Sequence, residues 1–138
     1  MDTRHLGEIA QLEVQKRVAE KGWFCSKPTM DGCRYDLIID DGKKLHRVQI
    51  KYSNSEPLES SNSFRIGLRK RSGGGNGHLQ RLYLESEIDA FIVYLPRSGK
   101  LYWLSQEVWL GKGEVCLRLL PPSNKQIKNI TLASQYEW

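Results

Sequence analysis

The 138-residue sequence contains few cysteines and no long apolar run, and each lack excludes a class of protein. Its three cysteines, Cys25, Cys33 and Cys116, are an odd number without metal-site spacing. We expect free thiols in a reducing compartment rather than a disulfide framework or a zinc site. No apolar stretch approaches the length that spans a bilayer, and the first residues lack a signal-peptide pattern. We therefore expect a cytoplasmic protein with no membrane partner.

The composition is that of a single globular domain. Hydrophobic residues make up 39% of the chain and charged residues 27%, which are ordinary values for a globular protein. The length suits one core built from a sheet and a few helices, so we expect a single domain over residues 1–138. The net charge of +5 suits a polyanionic partner, although a basic charge by itself does not identify one.

Apolar residues recur at helical spacing near the N-terminus. The members of this pattern are Leu6, Ile9, Ala10, Val14 and Val18. The pattern predicts a helix over about 3–21, with Thr3 as the N-cap and Gly22 at its end. Gln11 lies at the edge of its apolar face, Glu8 off the opposite edge and Glu13 inside it, and periodicity alone singles out none of the three.

A predicted β-hairpin lies at the centre of the chain. Two short apolar strands, 34–40 and 48–51, are joined by a polar turn that contains Asp41-Gly42. Because side chains alternate along a strand, Gln49 and Lys51 share one face. Asp36 opens the first strand, so a carboxylate and an amine from neighbouring strands can meet. By spacing alone, an ordinary hairpin with polar groups on its wet face is the commoner explanation.

The same hairpin resembles the signature of the PD-(D/E)XK nuclease superfamily. Tyr35-Asp36 stands at the Pro-Asp pair, and Gln49-Ile50-Lys51 stands at the (D/E)XK triplet. The glutamine resembles the branch of small homing endonucleases encoded in cyanobacterial group I introns. Further matches extend over most of the chain, at Gly7, Gly22, Tyr83, 87–91 and 117–119. The resemblance implies an α/β (α+β) fold with a restriction-endonuclease-like core, a mixed central β-sheet flanked by helices, and a β-ribbon extension.

The resemblance also implies a metal-dependent site that hydrolyses phosphodiesters. Asp36 is the implied principal ligand of Mg²⁺ or Mn²⁺, because hard divalent cations prefer oxygen ligands. The backbone carbonyl of Ile50 is a further implied ligand. Lys51 is implied to stabilise negative charge or to orient the attacking water. Gln49 replaces the usual acid of this catalytic motif, which therefore lacks one negative charge.

The first helix of the superfamily carries a glutamate, and this chain departs from that pattern. Counted from Gly7 and from Gly22-Trp23, the implied catalytic position is Gln11. Glutamine keeps the shape of glutamate but loses its charge, so it is a poor ligand for a divalent cation. We therefore expect a version disabled at Gln11, by nature or by engineering. The rival interpretation makes Glu8 the functional, metal-binding carboxylate.

A basic strand and a glycine-rich loop follow the hairpin after a polar loop. Apolar residues alternate with basic ones over 63–71, and the loop at 72–77 lacks the lysine of a phosphate-binding loop. A β-ribbon can enter the major groove of DNA, where arginine and glutamine read base edges or clamp phosphates. A solvated strand and a linker are the alternative interpretation. The expected DNA-binding residues are Arg65, Arg69, Lys70, Arg71, His78, Gln80 and Arg81.

Further strands and an apolar tail complete the chain. Apolar runs predict strands at 91–95, 101–104 and 115–120, and a short helix at 106–110. Asp89 precedes the first of these strands and is either a second acidic ligand or a structural hydrogen-bonding residue. The apolar tail within 123–138 indicates packing, either against another copy of the chain or against its own domain.

Three functions are compatible with these features. The leading one is a sequence-specific, homing-type endonuclease of double-stranded DNA, and cutting both strands implies a homodimer or homotetramer. The second is a nuclease resembling Holliday-junction resolvases, which would recognise the shape of DNA rather than its bases. The basic strand favours the homing-type endonuclease, which recognises bases. The third is a nuclease-fold DNA-binding subunit without catalysis, which Gln11 and Gln49 favour.

Overall fold

The structure is a computed structural model that describes residues 1–54, 62–71, 80–121, 124 and 130–138. Its helices are α1 (Thr3–Glu20) and α2 (Gln106–Trp109), followed by a 3₁₀ helix at Ala133–Tyr136. Its strands are β1 (Phe24–Ser26), β2 (Leu37–Asp40), β3 (Leu45–Tyr52), β4 (Ser63–Gly67), β5 (Arg69–Arg71), β6 (Gln80–Leu82), β7 (Ala90–Leu95), β8 (Lys100–Ser105) and β9 (Glu114–Arg118). Within these ranges, no helix is long and apolar enough to cross a membrane.

Helix α1 agrees with the predicted helix, apart from its cap. Asp2 is the N-cap, and its Oδ1 accepts a hydrogen bond from the backbone N–H of His5 at 3.0 Å. Thr3 is therefore the first helical residue, and its prediction as N-cap is wrong, because the Asp2 carboxylate already satisfies a free N–H of the first turn. Gly22 follows the helix with a φ of 73°, a conformation that favours glycine.

A five-stranded sheet with the order β1-β2-β3-β7-β8 forms the centre of the fold. Strands β3 and β7 are parallel, and the other neighbours are antiparallel, so the sheet is mixed. The predicted central hairpin is β2–β3, with Leu37 opposite Val48. Carboxylates in its turn accept backbone hydrogen bonds, including one from Gly42 to Asp40 at 2.8 Å. This register places the residue before β2, Asp36, beside the C-terminal half of β3.

Two hydrophobic cores lie on opposite faces of the sheet. The helix-side core joins α1 to the sheet through Ala10, Val14, Val18, Leu37, Ile39, Val48, Ile50, Ala90, Ile92 and Leu101. The outer core joins the sheet to β4, β9 and α2 and includes Phe64, Phe91, Tyr102, Trp109 and Leu117. The sheet therefore has a long helix on one face and mainly a two-stranded β layer on the other.

The predicted basic strand at 63–71 is two strands rather than one. Strand β4 pairs with β9, and Phe64 and Ile66 are buried as the alternation predicts. Leu68 is buried as the alternation predicts but lies between the two strands, and its N–H donates to the carbonyl of Gly113 at 3.0 Å. Strand β5 then pairs with β6 instead. The chain changes partner here because β9 begins at Glu114 and offers no further residue of the ladder.

The described part of the tail, residues 130–138, packs on its own domain. The N–H of Trp138 donates to the carbonyl of Leu101 at 2.9 Å, and Glu137 forms a bridge with Tyr102. Ala133 is buried in the outer core. Packing against its own domain therefore applies to this segment. An oligomer contact through 123–138 stays a prediction, and residues 123 and 125–129 lie outside the described residues.

The register of β2 predicts different costs for two neighbouring isoleucines. Ile39 is fully buried in the helix-side core, whereas Ile38 is half-buried. Ile39→Val is expected to lower the free energy of unfolding by about 1 kcal/mol, because it removes a buried methylene and leaves a cavity. Ile38→Val, the matched control, is expected to cost less than about 0.5 kcal/mol. Chemical denaturation measures both, and equal costs would contradict the register.

Candidate active site

Asp36 lies just before β2 and is held against β3. Its N–H donates to the carbonyl of Val48 at 2.8 Å, and its Oδ2 accepts a hydrogen bond from the N–H of Ile50 at 2.7 Å. Burial raises the pKa of the Asp36 carboxyl, while the Ile50 N–H, Lys51 and Lys27 oppose that rise. The site therefore has a partly desolvated carboxyl in fixed contact with β3 and within electrostatic reach of two lysines.

Lys51 and Gln49 lie on the face of β3 that is turned away from the helix-side core. In the parallel register, Gln49 stands beside Phe91, and Lys51 stands beside Val93, two pairs further along. The Nζ atom of Lys51 lies 6.0 Å from the centroid of the Phe91 ring. Burial lowers the pKa of the Lys51 ammonium group, and Asp36 opposes that change. The hairpin thus brings the predicted carboxylate and amine close enough for each charge to affect the pKa of the other group.

A pocket beside Asp36 joins helix α1 to the segment that follows β1. Its polar lining comes from Glu8, Gln11, Lys27, Asp31 and Asp36. Nζ of Lys27 lies 3.6 Å from Oε1 of Glu8, so these two charges balance each other. Gln11 is half-buried and Glu8 is exposed. Both predicted helix residues therefore lie at the pocket of Asp36, about one helical turn apart.

The whole chain matches a known nuclease family. A family model described as PD-(D/E)XK endonuclease matches residues 1–138. The chain belongs to the PD-(D/E)XK endonuclease family. This membership confirms the resemblance seen in the hairpin motifs and the predicted class of DNA endonuclease.

Two solved nuclease structures are similar to this chain to different degrees. A bacterial homing endonuclease, I-Ssp6803I, is similar with a TM-score of 0.77 and 23% identity, over 99% of this chain and 89% of that chain. A Holliday junction resolvase, Hjc from Archaeoglobus fulgidus, has a TM-score of 0.49 and 8% identity, over 81% and 83%. The second similarity is too low to bear on function, and no curated protein matches. The first confirms the predicted restriction-endonuclease-like fold.

PD-(D/E)XK nucleases generally use divalent metal ions, and the donors here can be tested against that requirement. Within the described ranges, no group of three or more His, Cys, Asp or Glu residues could hold a metal ion. In the same ranges, Oδ1 of Asp36 receives no hydrogen bond and remains available as a ligand. The Gln11 amide and the Ile50 carbonyl also offer oxygen, the donor that Mg²⁺ prefers. The residues therefore fit a divalent cation in donor type, with Asp36 as the charged donor from the matched motif positions.

Two residues near the PD-(D/E)XK site had no assigned role in the sequence. Lys27 lines the pocket, and Tyr83 packs edge-on against Phe91 with ring centroids 5.2 Å apart. Burial and the charges of Asp36 and Glu87 raise the pKa of Tyr83 to about 12, so its hydroxyl keeps its proton at neutral pH. Both residues are distant from the motifs along the chain. Sequence patterns therefore gave no signal of their positions, beyond the family match at Tyr83.

Asp89 is a structural residue and lies outside the pocket. Its Oδ2 accepts hydrogen bonds from the backbone N–H of Arg47 at 2.8 Å and from Nε of the same residue at 3.1 Å. Nη2 of Arg47 donates to Oδ1 at 3.0 Å. These bonds lower the pKa of Asp89. Of the two alternatives for Asp89, the structural one applies, because Arg47 occupies both carboxylate oxygens and ties β3 to the start of β7.

The structure places most of the predicted DNA-binding residues on β4 and on the antiparallel pair β5–β6. We call the pair β5–β6 the ribbon. These residues are Arg65 on β4, Arg69, Lys70 and Arg71 on β5, and Gln80 and Arg81 on β6. In the ribbon Lys70 stands opposite Arg81. A Cβ at Gly113 would lie 2.7 Å from Nη2 of Arg69, so this glycine makes room for the guanidinium. His78 and the predicted glycine-rich loop lie outside the described residues.

Proposed function

We propose that this chain is a homing-type endonuclease that recognises a specific sequence in double-stranded DNA and uses Mg²⁺ or Mn²⁺. The observation that carries the proposal is the position of Asp36 in a PD-(D/E)XK fold, where it shares a pocket with Gln11 and interacts electrostatically with Lys51. Because Gln11 carries no charge where the family has a glutamate, the chain is slow or inactive as a nuclease. It retains the elements for binding its target.

The residues of the site divide the work of phosphodiester hydrolysis among them. Asp36 and the Ile50 carbonyl would hold the cation, with Gln11 as a weak, neutral ligand, and the cation would supply Lewis-acid stabilisation of the phosphate and lower the pKa of a bound water. The N–H of Ile50 fixes Asp36 from behind. Lys51, whose ammonium group lies within the field of Asp36, stabilises negative charge on a phosphate oxygen. Gln49 contributes hydrogen bonds without charge.

Sequence recognition is assigned to the basic strands β4 and β5–β6. Arg65 is exposed on β4, and the ribbon presents Arg69 and Lys70. A two-stranded ribbon fits the major groove, where each base pair has a distinct pattern of donors and acceptors. A homodimer or homotetramer would bring two sites to the two strands of a symmetric target.

A second candidate is a DNA-binding subunit that has lost its chemistry. Gln11 and Gln49 favour it, because two positions that carry acids in related nucleases are neutral here. This candidate shares the fold and the basic strands with the first. Cleavage by a variant with restored charge separates the two functions.

Selection of bound duplexes tests sequence recognition without requiring catalysis. A random duplex library is incubated with the chain in EDTA, and the bound molecules are recovered and sequenced over several rounds. We expect enrichment of one site with approximate two-fold symmetry. Lys70→Gln is expected to reduce that enrichment, whereas Lys43→Gln, which removes an exposed lysine in the β2–β3 turn, leaves it unchanged. Binding without enrichment of any sequence would contradict a homing-type function.

A further inference from the structure

Glu87 is a buried carboxylate outside the metal pocket, and it binds two arginines from different parts of the chain. Its side chain is 2% exposed. Arg81 comes from β6 of the ribbon, and Arg34 comes from the segment that leads into the active site. Buried charges in proteins are costly unless they are paired and hydrogen-bonded. The ion triad Arg34–Glu87–Arg81 therefore holds two surface elements together at one point.

The pairing of Glu87 with Arg81 already satisfies the buried charge. Nη1 of Arg81 donates to Oε1 of Glu87 at 2.6 Å, and Nη2 donates to Oε2 at 2.7 Å. The N–H of Leu84 donates to Oε1 at 2.9 Å. The Arg81 guanidinium is the main cause that lowers the pKa of Glu87 to about 2. A bidentate arginine and a backbone donor are sufficient to stabilise this carboxylate.

Arg34 is thus a second cation beyond what the buried carboxylate requires. Its Nε lies 3.1 Å from Oε2 of Glu87, and its side chain is 61% exposed. Within the part of the chain that the structure describes, its two terminal nitrogens make no hydrogen bond. The side chain of Arg81 is 42% exposed beside it. One negative and two positive charges leave the triad with a net positive charge, and both arginine side chains are partly exposed to solvent.

The triad lies next to the proposed catalytic site. Arg34 is two residues before Asp36, and a surface depression lined by Arg34, Tyr35, Arg47 and Glu87 lies beside it. Besides burial, the charges of Asp36 and Glu87 both raise the pKa of Tyr83, so the two carboxylates lie near the same tyrosine. An anion on the triad would therefore lie close to the phosphodiester that the site acts on.

We propose that Glu87 orients Arg34 and Arg81 as a two-arginine binding site for a backbone phosphate of the DNA, adjacent to the phosphate at Asp36. The planar fork of arginine suits phosphate oxygens, and a buried carboxylate behind the guanidinium fixes its orientation before DNA arrives. The triad thereby couples the position of the ribbon to that of the active-site segment. This inference rests on the proposed DNA-binding function.

Arg34→Gln tests the phosphate contact directly. Affinity for a short fluorescent duplex is measured by anisotropy in EDTA across a series of salt concentrations. The slope of log affinity against log salt is expected to fall in magnitude by about one, with binding about tenfold weaker at low salt, because one phosphate contact is lost. Lys43→Gln removes the same charge from the β2–β3 turn and is the matched control, which is expected to keep the slope of the unmodified chain.

Glu87→Gln distinguishes the orientation of the two guanidinium groups from the net charge of the surface as the cause of DNA binding. Removing a negative charge beside DNA would tighten binding if only net charge mattered. We expect weaker binding, because the two guanidinium groups lose their common anchor. Circular dichroism tests whether Glu87→Gln is folded. If it is unfolded, the binding of Arg34→Gln, which alters only the exposed partner of Glu87, decides whether the phosphate site exists. If the unmodified chain binds no duplex, the proposed function fails; if it binds and Arg34→Gln keeps its slope, the phosphate site alone is refuted.

Discussion

Replacing Gln11 with glutamate is expected to raise Mg²⁺-dependent cleavage of the selected duplex by about 10²- to 10³-fold. The substitution adds a second carboxylate to the pocket that holds Asp36, and a firmly held cation supplies several kcal/mol of transition-state stabilisation, with each 1.36 kcal/mol equal to tenfold in rate. Initial rates on a plasmid that carries the enriched site measure the effect. Addition of EDTA is expected to abolish the gain.

Two variants make the result specific to position 11. Gln135→Glu adds the same charge to an exposed residue of the 3₁₀ helix and is expected to leave the rate unchanged. Glu8→Gln in the Gln11→Glu background tests the rival helix carboxylate. If Glu8→Gln removes cleavage and Gln11→Glu adds none, Glu8 is the functional acid and the assignment of position 11 is wrong. If neither the unmodified chain nor Gln11→Glu cuts DNA but both bind it, the non-catalytic candidate holds.

Asp36→Asn in the Gln11→Glu background is expected to reduce cleavage by at least about 10³-fold, because it removes the principal charged ligand of the cation. The amide oxygen of asparagine can still accept the hydrogen bond that Ile50 donates to Asp36 at 2.7 Å, so the fold should be retained. The expected loss is thus one of charge rather than of structure. Plasmid cleavage assays measure the rate, and calorimetry with Mn²⁺ measures the cation affinity independently of activity.

Asp31→Asn is the matched control for this experiment. Asp31 lines the same pocket and is exposed. Its substitution therefore removes an equal charge close to Asp36 without altering a contact with β3. We expect a change in rate of less than about threefold, the size of a screened surface effect. Equal losses for Asp31→Asn and Asp36→Asn would show that the pocket acts through total charge, and the assignment of Asp36 as principal ligand would be withdrawn.

The hairpin and the first helix could be predicted from local patterns, because each element carries its own periodicity. Val48 and Ile50 alternate with Gln49 and Lys51, and the structure separates these pairs onto opposite faces of β3. The motif spacing also led to the family that the whole-chain match confirms. The prediction of Thr3 as N-cap failed because Asp2 offers an equally suitable side chain one position earlier.

Strand pairing was less accessible to sequence patterns. Residues 63–71 have one continuous alternation in the sequence, and from Phe64 to Arg69 the structure preserves it when the chain leaves β9 at Leu68 and pairs with β6. A change of partner alters which backbone groups are bonded and leaves the facing of side chains unaltered. Periodicity therefore records burial but contains no information about the neighbouring strand.

The sequence by itself determined the type of helix α1, of the hairpin strands β2 and β3, and of the buried strands β7, β8 and β9, and it led to the proposed roles of Asp36, Lys51 and Gln11. These features depend on residue identity and on short spacings, which the chain carries locally. Tertiary structure alone decided that Lys27 and Tyr83 lie near Asp36, that Asp89 belongs to Arg47, and that Glu87 joins Arg34 to Arg81. Each of these contacts joins segments that are brought together only when the sheet assembles and buries their charges.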